Sequence, residues 1–546
     1  MTSYCRRLFL ATPALALCAS PASADDGVIL LAEGDALSNG WIVEGIDVPA
    51  IDRDGSWSAL VRTDQPPNVP FRAFVVDGNV LVREGQTLPN GEQVEFLLDA
   101  DTGPDGGRAY VYTVASSGAP EVRVRLVGGP LIQSGDAVIA PGIPTPVTLF
   151  TVRDIEVARP YLYVRAELDP VPAGLPNYTA LLRYEFSPGG TTVTLLAREG
   201  QQLPGALAPV ESLSGIASIA ADGTYVTTID QDTPGSIGRA VLNDGFVQFL
   251  DDVAAPLGGT VWQHDPNPAV AKAPGNVFAV ASQVRFPNGD LRGLVVGSGG
   301  QLLAREGQPQ LGGTSIVGSF STAPIALAND GLTVYAVPTN QGAVLMAFDE
   351  ELLRAGVSTA GGRTIAGLKL ARRESIDVSP NGREVVAEVR LDDGRDALVL
   401  VERRIGFVVP CSANPNSTGR PGRIVGFGSS FVALNDVTIL AFDLPPDSFG
   451  YLGASSTPAF VPNAGGSSGN LCLGGTVARF ASLVQSSGPL GAISTQVDLT
   501  SIPQPAGGPV AVVAGETWGF QLWHRDSSPA GPPTSNFTQL LSVPFR

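Results

Sequence analysis

Along most of the chain the apolar positions come in short runs that alternate with polar ones, bounded by Gly, Asp, Asn and Pro. In IAADGTYVTTI the residues Tyr225, Thr227 and Ile229 fall on one face of an extended strand, and Asp222-Gly223 before them allows the positive φ angles of a tight hairpin. This head phrase recurs as AIDRDGSWSALV, DTGPDGGRAYVYTV, AKAPGNVFAVAS, ALANDGLTVYAV and DVSPNGREVVAEV, with VARPYLYVRAEL standing in for the third unit. A tail phrase alternates with it: ILLAEGDAL from Ile29, VLVREGQTLPNG from Val80, LLAREGQQLPG from Leu195 and LLAREGQPQLGG from Leu302, with weaker copies from Pro130, Phe249 and Leu352. The marker glycines Gly34, Gly85, Gly135, Gly200, Gly307 and Gly356 recur roughly every fifty residues, the wide gap after Gly200 holding two units. A second hairpin is visible inside the units at Asp77-Gly78 and Asp244-Gly245.

Repeats of this length with two hairpins each predict an all-β fold, a seven-bladed β-propeller, because radial packing leaves only short, protected strand edges. The order of phrases also predicts how the ring closes. The first tail precedes the first head, whereas the last head, at Gly382, is followed by ALVLVERR with no tail of its own. Ile29 to Ala32 should therefore pair antiparallel with Ala397 to Val401 and hide an edge that would otherwise invite aggregation. Beyond Val408 the pattern changes to short apolar runs such as RIVGFG, VTILAFDL, LCLGG and FQLWHRD between Gly, Ser, Pro and Asn turns, which suits a β-sandwich. The expected organisation is a signal peptide over 1–24, a seven-bladed propeller over 25–407 and a C-terminal β-sandwich module over 408–546.

The SPNGREVVAEV segment from Ser379 resembles the Ser-Pro-Asp-Gly-Arg hairpin of TolB-like and WD40-like propellers, and the tandem REGQ phrases resemble repeat proteins exported by bacteria. The resemblance spans roughly residues 28 to 404 and implies fold, not activity, since propellers of this kind host many functions. No motif carrying those families' functional residues is matched. CSANPNSTGRPG, GNLCLGG and GFQLWHRDSSPAGPPTSNF resemble a terminal module found on diverse secreted bacterial proteins.

Composition narrows the partners. A net charge of −18 over 546 residues makes nucleic acid an unsuitable partner. The N-terminus carries Arg6 and Arg7, an apolar stretch from Leu8 to Ala19, and Ala22-Ser23-Ala24, the small-x-small pattern of a cleaved leader. No later stretch approaches the ~18 apolar residues of a transmembrane helix, so the expected location is extracytoplasmic. Cleavage removes Cys5 and Cys18 and leaves Cys411 and Cys472, an even pair in an oxidising compartment, and the expected disulfide contributes about 3–4 kcal/mol through unfolded-state entropy.

Candidate chemistry is sparse. The two histidines, His264 and His524, leave little room for imidazole-based metal sites, and no cofactor is expected. Gly465-Gly466-Ser467-Ser468-Gly469 matches a nucleophile elbow, with Asp498, Glu516 and His524 following in hydrolase order, but it lies in a Gly/Ser-rich loop without the strand and helix an elbow needs. Asp99, Asp101 and Asp105 have the oxygen ligands of a calcium loop, although the segment coincides with a head turn. The repeated pairs Arg83-Glu84, Arg198-Glu199 and Arg305-Glu306 suit hydrogen bonds between blades, and Trp262 to Asp265 and Trp523 to Asp526 set an aromatic ring beside polar groups.

With no convergent catalytic set, and so no catalytic or metal residue assigned, the leading expectation is an exported binding or cell-surface scaffold facing an extracellular polymer or envelope protein. The alternative is an extracellular carboxylate-dependent glycoside hydrolase or lyase acting in the propeller's central depression, which two acidic groups there, flanked by aromatics, would signal.

Overall fold

The computed structural model describes residues 27–545 apart from 65–70, 116–119, 144–146, 170–177, 214–216, 234–235, 251–260, 263–268, 276, 286–290, 297–301, 308–314, 318–322, 330, 348–349, 371–373, 410, 412, 429, 431, 490 and 528–532. The expected leader, 1–24, lies outside the described residues. The described residues are strands and turns, with no α-helix. None of their helices is long and apolar enough to cross a membrane. Contacts divide the chain into two compact units that part between Val401 and Glu402.

Among its described residues the first unit contains seven antiparallel sheets of four to six strands, met in chain order. The first six begin with Val43–Ile51, Leu97–Thr102, Thr148–Ala158, Val210–Ser212, Val261–Trp262 and Ile325–Leu327, and the seventh with Thr359–Ala360. These repeated hairpin sheets fit a β-propeller. The hairpin glycines behave as the pattern requires: φ is 47° and 79° at Asp77-Gly78 and 48° and 84° at Asp244-Gly245, the left-handed pair of a tight turn.

The tail phrase is a hydrogen-bonding device. Its residue before the marker glycine accepts from a backbone N–H of the neighbouring strand: Glu84 Oε2 from Arg72 (3.0 Å), Glu199 Oε2 from Thr179 (3.2 Å), Glu306 Oε2 from Gly293 (3.4 Å), Ser134 Oγ from Val122 (3.0 Å) and Glu33 Oε2 from Asp396 (2.9 Å). The residue after the glycine caps the chain three positions back, as Gln86 Oε1 does for Arg83 N (3.1 Å) and Asp35 Oδ2 for Ala32 N (2.8 Å). Glu84 Oε1 also accepts from Leu97 N of the second sheet at 2.8 Å, so one carboxylate ties two sheets. The Arg of the first pair serves a different contact, its guanidinium lying 4.3 Å from the Trp41 ring.

Apolar clusters fill the space between successive sheets. Leu60, Phe74 and Val82 of the first sheet pack with Leu97, Tyr110 and Tyr112 of the second, and Val111 and Val124 of the second pack with Leu162 and Leu182 of the third. The series continues to a cluster in which Leu31, Leu398 and Leu400 of the seventh sheet meet Val43, Ile46 and Trp57 of the first. There the N-terminal strand Val28–Ala32 pairs antiparallel with Asp396–Glu402, with Ile29 opposite Val399 and Ala32 opposite Ala397. Leu31→Ala should cost roughly 2–4 kcal/mol of stability, as for other buried leucines. Deleting residues 25–37 should abolish a single cooperative thermal transition, followed by circular dichroism; an unchanged transition would rule out this strand as the closing element.

In the second unit a four-stranded sheet runs in the order Arg404–Ile405, Arg423–Gly428, Val437–Phe442, Ile493–Val497. A larger sheet is built on Phe449–Ser455, Thr517–Ser527 and Leu540–Pro544. Ile424, Val437 and Ile439 of one sheet and Leu452, Phe520 and Leu541 of the other share a single core. Cys411 and Cys472 form a disulfide with a Cα separation of 6.4 Å, next to buried Leu473 and Leu540. Reduction should lower the stability of the second unit by about 4 kcal/mol on the chain-entropy estimate and leave the first unit's transition unchanged, which calorimetry with and without reductant measures.

Candidate functional site

A strand at the start of a radial sheet has no neighbour on its inner edge, so its N–H groups there need acceptors from elsewhere. The inner stretches of all seven sheets line one cavity of about 170 Å³: Val48–Ile51, Asp99–Pro104, Asp154–Val157, Ala217–Ala220, Ala269–Lys272, Ile325–Leu327 and Glu374–Val378. Its wall is two-faced. Asp99, Asp101, Asp154, Glu156, Glu374 and Asp377 put six carboxyl groups on the arc of the second, third and seventh sheets, whereas the fourth to sixth sheets supply mainly Ala, Val, Ile and Leu.

Three of these carboxylates hold the next sheet's inner strand. Asp99 Oδ2 accepts from Ile155 N at 3.1 Å, Asp101 Oδ2 from Val157 N at 2.6 Å, and Asp377 Oδ2 from Ile51 N at 2.8 Å. Ser218 makes the corresponding tie with its hydroxyl, accepting from Lys272 N at 3.1 Å. Asp154 instead interacts with Asp99, favouring the ionised form of Asp99 against its burial. Among the described residues Glu156 receives no hydrogen bond that would favour its ionised form; burial and the charges of Asp101, Asp154 and Glu374 all act to keep its proton on.

Burial is the main cause of the raised pKa values of Asp99, Asp101, Asp154, Glu156 and Asp377. Asp154 and Glu156 are held well above the ordinary carboxyl range, with the Asp99 and Asp101 charges respectively adding most after burial. Asp101 is pushed up to about 8 by burial, the Val157 N–H offsetting part of the effect and the charges of Asp99 and Asp377 adding to it. Asp377 reaches about 7, raised by burial and restrained by the N–H groups of Ile51 and Val378. Raised proton affinities of this kind suit general acid chemistry.

The residues singled out in the sequence are distributed differently. Asp99 and Asp101 face the channel, but Asp105 sits in the hairpin turn and accepts from Gly107 N at 3.2 Å. No group of three His, Cys, Asp or Glu side chains among the described residues is placed to hold a metal ion. Ser467 donates its hydroxyl to Ser535 O at 2.6 Å, while buried His524 bonds Arg525 O through Nδ1 at 3.1 Å and its Nε2 has no partner among the described residues. The structure thus brings no serine–histidine pair together there. His264 lies outside the described residues, and the Trp523 ring packs 5.0 Å from that of Tyr451.

Asp154, Glu156, Glu374 and Asp377 were not singled out from the sequence. A signal for part of the set exists: counting five residues back from the turn glycines Gly106, Gly223 and Gly382 gives Asp101, Ser218 and Asp377, each an acceptor for the next sheet. Glu156 escapes that count because the third unit has Ala158-Arg159-Pro160-Tyr161 in place of an Asp-Gly turn.

No family model matches the chain, and no curated protein matches it. Among solved structures it is similar to a sialidase of Trypanosoma rangeli in complex with the inhibitor DANA, at 10% identity, 95% coverage of each chain and a TM-score of 0.26. It is similar to a subtype N11 neuraminidase-like protein of A/flat-faced bat/Peru, at 10% identity, 81% coverage of this chain and 86% of the other, with a TM-score of 0.20. A xylan β-1,4-xylosidase from Bacillus halodurans follows at 8% identity, 80% and 92% coverage and a TM-score of 0.18.

The expectation of a binding or cell-surface scaffold is corrected by the lining of the channel. It rested on the lack of any convergent catalytic set, and the channel gathers six carboxyl groups from residues up to 278 positions apart, Asp99 and Asp377.

The raised values carry a sign. Between the ordinary carboxyl pKa of roughly 4 and about 8, the folded first unit binds more protons at Asp101 than the unfolded chain. Its stability should therefore be greatest at acid pH and fall as pH rises toward 8. Asp101→Asn, which keeps the acceptor for Val157 N but cannot ionise, should flatten that slope in thermal unfolding between pH 5 and 8.

Proposed function

We propose that the chain is an exported, carboxylate-dependent glycoside hydrolase, cut from a leader over 1–24. The first unit, to Val401, is a seven-bladed β-propeller, and the second, from Glu402, a β-sandwich. The observation carrying this reading is the channel wall, where six carboxyl groups meet and Glu156, half-buried among them, has its proton affinity raised by burial and by the neighbouring Asp101 charge. In the reaction Glu156 donates its proton to the leaving glycosidic oxygen, and the ionised member of the neighbouring carboxyl groups stabilises the cationic sugar or activates water against it.

Release of reducing ends from a panel of plant, fungal and bacterial polysaccharides tests the reading. Turnover of one member should fall about 10²- to 10⁴-fold in Glu156→Gln without a lower thermal midpoint. Turnover that survives this change, or its absence across the panel, would overturn the assignment.

A further inference from the structure

In the second unit His524 sits on the strand Thr517–Ser527 and is fully buried. Its Nδ1 lies 3.1 Å from the Arg525 carbonyl oxygen, which can only accept, so Nδ1 carries the proton and Nε2 presents a bare lone pair. Nε2 is itself buried and has no hydrogen-bond partner among the described residues. Gly422 covers it. A methyl group added at Gly422 would lie 3.5 Å from Nε2, 3.2 Å from a Leu444 methyl and 3.3 Å from the Thr538 methyl, so the lone pair looks onto apolar neighbours. A proton arriving at Nε2 would create a buried cationic N–H with no acceptor, and the covering chain must move before water can reach it.

That covering chain is a strap. Residues 414–422 are held to the strands around His524 by polar contacts: Asp526 Oδ1 accepts from Ser417 N at 3.0 Å, Asn536 Nδ2 donates to the Asn414 and Pro415 carbonyls at 3.2 Å, and Gly422 O accepts from Gln539 N at 3.1 Å. Both ends are anchored, one by the Cys411–Cys472 disulfide and the other where the chain enters the strand Arg423–Gly428.

Few charges bear on the ring. Burial lowers its proton affinity, and the Arg525 carbonyl and the charge of Asp526, two residues on, offset only part of that. The Arg525 side chain is exposed. The adjoining strands place Gly450 and Asn536 opposite His524, and neither is charged. From the strap and the strand after it, Arg420 and Arg423 turn to Asp443 at 3.8 and 2.7 Å, and Asp447, beyond Leu444, is exposed.

Below roughly pH 6.5, where a solvated imidazole takes up its proton, the lifted strap binds one proton more than the closed one. Closure is therefore complete above that pH and weakens as pH falls. We infer that residues 414–422 form an acid-released strap, lifted from the strands of the second unit by protonation of His524 at Nε2 and returned when that proton leaves. The device does not depend on the hydrolase reading.

Hydrogen exchange followed by mass spectrometry on the full chain, with the disulfide intact and intrinsic exchange rates corrected for, tests this between pH 7.5 and 5.5. Peptides covering residues 413–423 should lose about tenfold in protection over that range, whereas those covering Val437–Phe442 should keep theirs. In His524→Asn, whose amide can still donate to the Arg525 carbonyl but cannot ionise, the loss should disappear. A loss that survives in this variant belongs to Asp526 or Asp443 and overturns the inference, as does unchanged protection in the unmodified protein or a loss shared by the whole unit. Where the variant does not fold, the ring itself decides. With carbon-13 at the histidine C2 positions and His264→Gln leaving one signal, His524 should remain in the neutral Nδ1–H form at pH 6.5 and titrate only in step with the exchange. A ring half protonated at pH 6.5 beneath a strap that is still protected would overturn the inference as well.

Discussion

An inner strand bordering a channel has one edge of N–H groups with no neighbouring strand, and the first unit is organised around satisfying that edge. Leaving such a group buried and unpaired costs about 1–3 kcal/mol, so seven inner strands set a substantial demand. Asp99, Asp101, Asp377 and Ser218 meet it by reaching from one sheet to the inner strand of the next. The ties fix how far each sheet advances along the channel relative to its neighbour. They also bring acidic side chains to the wall of the cavity.

The outer part of each sheet solves a related problem with the tail phrase. Glu33, Glu84, Ser134, Glu199 and Glu306 accept from the adjoining strand, and the glycine after each adopts a positive φ that a side chain would strain. These bonds set register and contribute little net energy, since water is given up on both sides. The driving force lies in the apolar clusters between sheets, where residues such as Val61, Val75, Val386 and Leu398 are fully buried at the closure. Register from polar atoms and energy from apolar ones are thus supplied by alternate positions of the same strands.

This division explains what the sequence made legible. Alternation, turn glycines and the offset between heads and tails are local properties, so the hairpins at Asp77-Gly78 and Asp244-Gly245 and the pairing of Ile29 with Val399 could be read from them. The cysteine pair followed from counting. The channel acids were not legible for the opposite reason: Asp99 and Asp101 looked like turn and calcium-loop residues, while Asp154 and Glu156 lie in the one unit that lacks an Asp-Gly turn. Their meaning comes from proximity across sheets separated by 56 residues or more, as between Asp99 and Ile155, and no local pattern encodes that. Ser467 and His524 show the converse, a motif in the right chain order whose members are committed to different backbone carbonyls.

The tie between sheets does not itself call for charge. Ser218 performs it with a neutral hydroxyl at 3.1 Å, as the carboxylate of Asp377 does at 2.8 Å. Asp154 and Glu156 make no such tie among the described bonds, and their ionisation is opposed by burial and by neighbouring carboxylates, Asp99 for the first and Asp101 for the second. A chain under selection for stability alone would relieve that repulsion with Ser, Thr or Asn, which satisfy an N–H without a desolvated charge. Carboxyl groups are instead concentrated on one arc, at positions where each raises its neighbours' proton affinity and Glu156 stays open to the cavity. Groups that oppose folding yet are held in mutual contact, with proton affinities moved toward neutral pH, are what acid/base catalysis requires and what the tethering of strands does not.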